Sequence, residues 1–114
     1  MEPRKAKEKK ERNIPGQIQQ LRKKIDQTDR KLLHLLYIRF NTVEEIACLK
    51  REIGIPVLQR GRWQELLKDR VQLAQGELRL NPEFTRKLFT LIHQEALRIQ
   101  RQIVKRSCKR NRSI

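Results

Sequence analysis

Long apolar runs are missing from this 114-residue chain. The longest nearly apolar stretch, Leu32 to Ile38, is far shorter than the roughly 20 residues a bilayer-spanning helix needs. The chain is charged from Glu2 onward and shows no apolar segment of the kind that directs secretion, so it reads as a soluble, cytoplasmic protein without a membrane partner. Cysteine is equally scarce. Cys48 and Cys108 show no C-x-x-C or Cys/His spacing, which indicates neither a disulfide framework nor a zinc site and leaves the expectation of two reduced thiols. The two histidines, His34 and His93, have no acid-and-nucleophile constellation around them and read as surface or structural residues. Gly and Pro number four each and aromatic residues make up 4%, with no internal repeat. Together with helical periodicity, this excludes a low-complexity chain and favours an all-helical domain with a modest core.

Positive charge is what the chain has in excess, at +15 overall. Residues 1–16 hold six Lys or Arg against three acids, and residues 105–114 hold five against none, so these two basic tails contribute more than half of the net charge. The expected organisation is a disordered basic tail over 1–16, a helical domain over 17–104 and a second basic tail over 105–114. Such tails serve most simply as solvated extensions, with nonspecific contact to nucleic acid or an anionic surface as the other reading.

Within the domain the hydrophobic spacing predicts three helices. The first runs from about Gln17 to Ile53 and stops at Gly54-Ile55-Pro56, with glycine at the post-helix position and proline two residues on. The second runs from Gln59 or Arg60 to Gln75, with Trp63 as an apolar anchor. The third opens at Asn81-Pro82, a capping residue followed by proline at the first helical position. A first helix of about 37 residues would be a rod of roughly 55 Å, against a radius of gyration of about 13 Å for a compact domain of this size. Its seam, Ile18, Leu21, Ile25, Thr28, Leu32, Leu35, Arg39, Thr42, Ile46, Leu49 and Ile53, is the kind that pairs with its own copy, and the expectation is a homodimer.

Arg39 interrupts that seam. Lys50 stands eleven residues further on, which at about 100° per residue puts the two on one helix face, about 20° apart. Arg22 is turned about 100° away from Arg39 and so points elsewhere, in a dimer toward the partner's site. An unpaired guanidinium on a buried seam is costly, so something anionic should meet Arg39. Glu44 or Glu45 could supply it as a register-setting ion pair, or a ligand carboxylate could do so in a bidentate one. Lys23, Lys24, Arg30 and Lys31 lie off the seam near Asp26 and Asp29 and read as a solvated, ion-paired face.

The ordered set Leu21-Arg22-Lys23-Lys24-Ile25-Asp26, Asp29, Leu32-Leu33, Arg39, Lys50, Pro56-Val57 and Arg62, continued by Leu88-Phe89, Leu91-Ile92-His93 and Gln100, resembles the all-helical bacterial chorismate mutases over roughly residues 18–104. The resemblance implies an intertwined dimer and a cofactor-free, metal-free Claisen rearrangement of chorismate to prephenate, in the biosynthesis of phenylalanine and tyrosine. It further implies that Arg22 of the partner chain, Arg39 and Arg62 hold the substrate carboxylates. Lys50 and Gln100, with Arg39, carry the catalysis, and Gln59 and Ala96 line the substrate. An association with another enzyme of aromatic biosynthesis is also compatible with it.

Three positions depart from the family pattern. Gln59 stands where many members have an acid, Trp63 where Glu is frequent, and Ala96 where Ser is frequent. These changes bear on hydroxyl recognition and on one carboxylate contact while keeping the cations. Other readings of the same residues are an isochorismate pyruvate-lyase of the same fold, a docking module, and a basic helical nucleic-acid-binding protein. Against the last, no recognition-helix motif lies in the domain.

Overall fold

The computed structural model describes residues 13–105; the two outer segments, where most of the expected tails fall, lie outside the described residues. Among the described residues there are three helices and no strand: α1 (Ile14–Ile53), α2 (Arg60–Gly76) and α3 (Pro82–Val104). The all-helical class and the three elements match the sequence reading.

The start of α1 differs from it by three residues. Pro15 and Gly16 lie inside the first helical turn, because Asn13 caps it: its side-chain oxygen accepts from the Gly16 N–H at 3.0 Å. Proline is tolerated in a first turn, where its missing N–H has no intrahelical partner to lose. The other end is as expected. Gly54 adopts φ +76°, and the Ile55 N–H returns to the Lys50 carbonyl at 2.9 Å, the six-residue closure that ends many helices. At α3, Asn81 accepts from the Phe84 N–H at 2.8 Å with Pro82 at the first position. Between α2 and α3 the left-handed residue is Arg79 (φ 54°), and the Leu80 N–H bonds to the Ala74 carbonyl at 2.9 Å.

The contacts divide the chain within α1, into a part ending at Tyr37 and a part beginning at Ile38. In the first part the apolar seam residues Ile18, Leu21, Ile25, Leu32 and Leu35 are between 43% and 60% exposed. Thr28 turns its hydroxyl onto the Lys24 carbonyl of the preceding turn at 2.9 Å, as Thr42 in the second part does onto Ile38, so both seam threonines are satisfied within their own helix.

In the second part α2 and α3 pack against each other, joined by the short 77–81 connection. Leu66, Val71, Ala74, Thr85 and Ala96 are buried there. The C-terminal end of α1 meets α3 through Ala47, Cys48 and Ile103, with Ile99 packed beside them, and Arg51 donates to the Ile103 carbonyl at 3.2 Å. Cys48 is disulfide-bonded, which corrects the expectation of reduced thiols. Spacing along a chain identifies local chelating pairs, whereas a disulfide depends on which positions the fold brings together. Cys108 lies outside the described residues.

Candidate active site

The closure at Gly54 does more than end α1. It sends the chain back past the side chain of Lys50, whose ammonium donates to the Val57 carbonyl at 2.9 Å. From the other side α3 brings Gln100, and Lys50 donates to its Oε1 at 3.1 Å. Since an ammonium has only donors, this bond fixes the orientation of the amide: the oxygen faces Lys50 and the NH2 is left to donate. Two of the three Lys50 protons are used in these bonds. Gln100 is buried, and burial pushes the Lys50 ammonium below the usual lysine range.

Around this pair lies a pocket of about 330 Å³. Arg39, Val43 and Ile46 line it from α1, Arg62, Trp63 and Leu66 from α2, and His93 and Ala96 from α3, with Val57 and Gln59 between α1 and α2. No carboxylate is among the lining residues. Lys50, Gln100, Arg39, Gln59, Arg62 and Ala96, singled out from the sequence, thus converge on one cavity. Arg22 does not line it; in the part of the chain ending at Tyr37 it borders a separate recess with Gln19, Lys23, Ile25 and Asp26.

Arg39 is the electrostatic centre of the pocket. Burial, and then the guanidinium groups of Arg70 and Arg62, push it below the usual arginine range. Ion pairs among the described residues include Asp69–Arg70, Glu83–Arg86 and Glu95–Arg98, none of which involves Arg39. A half-buried cation surrounded by cations is what an anionic ligand would relieve.

Sequence reasoning did not place His93 or Arg70 here. Trp63 and His93 stack face to face, with ring centroids 3.9 Å apart and planes 8° from parallel. Burial, followed by the charges of Arg39, Arg101 and Lys50, lowers the His93 pKa from its ordinary 6.5. A signal was present in the spacing: His93 stands seven residues before Gln100 and three before Ala96, on the same face of α3. Arg70 stands eight residues after Arg62, on the same face of α2.

Fold and pocket together define a small helical protein with a pocket lined by cations and hydrogen-bond donors. Residues 21–101 match the chorismate mutase type II family, and the chain belongs to it. It is 25% identical over 95 residues to the chorismate mutase of Methanocaldococcus jannaschii, an alignment covering 83% of this chain and 95% of that protein.

Proposed function

We propose that the chain is a chorismate mutase, an isomerase that works by clamping the substrate with cations and donating hydrogen bonds to its ether oxygen. The observation that carries this reading is the Lys50–Gln100 pair set beside Arg39 in a pocket without a carboxylate. The substrate is a dianion whose enolpyruvyl arm must fold over the ring before bonds exchange. Arg39, with Arg62 and a guanidinium from a second chain, would restrain the two carboxylates in the folded conformer and remove part of the entropic barrier. As the C–O bond lengthens ahead of C–C bond formation, charge grows on the ether oxygen. The remaining Lys50 proton and the Gln100 NH2 are the donors available to it. Both are held in place by the Lys50–Gln100 and Lys50–Val57 bonds, so little reorganisation is needed when that charge appears. Gln59, the residue before α2, has no capping bond to its side chain and faces the pocket, where its amide can meet the ring hydroxyl.

The purified chain should convert chorismate to prephenate without added cofactor, followed by loss of chorismate absorbance and by product chromatography. A chain that leaves chorismate untouched, or that instead yields salicylate and pyruvate from isochorismate, overturns this assignment.

The second chain is part of the proposal. Ile18, Leu21, Ile25, Leu32 and Leu35 form an exposed apolar stripe at heptad-like spacing, and covering the exposed half of each side chain contributes on the order of 1 kcal/mol. A homodimer along that stripe would bring the partner's Arg22 to the pocket. This has a direct test. Arg22→Ala and Lys50→Ala chains, each inactive alone, are unfolded together and refolded at equal concentration. If Arg22 serves the partner, each mixed dimer regains one intact site, and random pairing restores about a quarter of the wild-type sites. If Arg22 acts within its own chain, no mixture regains activity.

A further inference from the structure

The mechanism above leaves His93 without a task, although it lines the same pocket as Arg39, Lys50 and Gln100. Its ring is pinned. One face is covered by the Trp63 indole at 3.9 Å, so the polar function left to it lies at the ring edge, where the two nitrogens are.

The charged groups facing it are all cationic. Arg39 and Lys50 come from α1, Arg62 lines the pocket from α2, and Arg101 follows on α3. Partial burial and these charges oppose a further positive charge and hold the imidazole below its ordinary pKa. A dianion seated against Arg39 and Lys50 offsets part of this positive charge and offers acceptor oxygens. The indole beneath the ring suits both states, because a neutral imidazole stacks on it and an imidazolium gains a cation–π attraction.

We propose that His93, clamped flat against Trp63 among Arg39, Lys50 and Arg101, is an additional anion-binding residue that takes up a proton as a dicarboxylate ligand enters and gives it back as the ligand leaves. The charged ring donates a charge-assisted hydrogen bond to a ligand carboxylate, and Trp63 sets the plane from which it does so. The inference rests on the dicarboxylate-binding reading of this pocket, and its test is separable from turnover.

The sign of the linkage follows from the two states. With the ligand absent, His93 titrates below 6.5; with it bound, higher. Affinity therefore rises as pH falls through the bound value and levels off below the free one. Each unit of separation between the two values is a tenfold change in affinity, so binding should tighten as pH falls from 8 to 5.5. The substrate and product carboxylates ionise below this window, and no Asp or Glu lines the pocket to titrate in their place.

The experiment is calorimetric titration of the full chain with prephenate, a dianion that serves as a non-reacting probe, in two buffers of different ionisation enthalpy across pH 5.5 to 8. The wild type should take up protons on binding and tighten as stated. His93→Phe keeps a ring against Trp63 and His93→Gln keeps a donor without a titration, so both should bind with a flat pH profile and no proton uptake. Wild-type binding without proton uptake overturns the inference, as does uptake that persists in either folded variant. Proton-linked prephenate binding by a chain that does not turn over chorismate would keep this inference and reject the enzyme assignment. Turnover with pH-independent binding would do the reverse.

Discussion

Replacing Lys50 by alanine is expected to lower kcat for chorismate by about 10²–10³-fold, the loss on removing one donor aimed at transition-state charge. Lys50 holds both the Val57 carbonyl and the Gln100 Oε1, so its loss removes its own donor and also frees the amide that orients the second one. Because the ether-oxygen charge exists mainly in the transition state, kcat should fall much more than KM rises. The variant also strands two polar atoms, one of them on a buried side chain, at about 1–3 kcal/mol of stability apiece. Kinetics are therefore read alongside a thermal unfolding curve, at a temperature where the variant is fully folded. A folded Lys50→Ala chain whose kcat stays within threefold of wild type would remove Lys50 from the catalytic set.

The Arg39→Ala variant should separate activity from stability in the opposite way. Truncating one partner of a desolvated charge pair costs about 2–5 kcal/mol of binding, so kcat/KM should fall by about 10²-fold or more. Arg39→Lys should not rescue it, since an ammonium cannot make the bidentate contact a guanidinium makes with a carboxylate. Stability should not fall with activity. Arg39 is held below its ordinary pKa by burial and by Arg70 and Arg62, and no carboxylate lines the pocket around it, so removing it relieves repulsion. The expected unfolding midpoint is equal to or above that of wild type, measured without ligand. A marked loss of stability would mean that Arg39 is a structural ion-pair residue, as the register reading of the seam supposed.

Much of this was legible in the sequence because it depends on local rules. Asn81-Pro82 and Gly54 mark helix ends through backbone geometry that involves only neighbouring residues, and the structure places both ends there. The shared face of Arg39 and Lys50 follows from helical period alone. The first helix starts three residues before the expected Gln17 because the Asn13 side chain caps the turn that holds Pro15 and Gly16. His93 was undervalued because a histidine without an acid beside it in sequence looks inert. Its surroundings are Arg39 and Lys50 from one helix and Trp63 from another.

By itself, the sequence determined the helices, most of their ends, the apolar seam and the cations available to an anion, because each is set by interactions within a few residues. Only the tertiary structure decided which of those cations meet: the turn at Gly54 that carries Val57 to Lys50, the crossing of α3 that orients the Gln100 amide, and the Trp63–His93 stack beside Arg39. These contacts join residues up to fifty positions apart. Such distances are closed by the burial of Ala47, Ile103, Leu66 and Ala96 in the packing between helices, which no local spacing encodes.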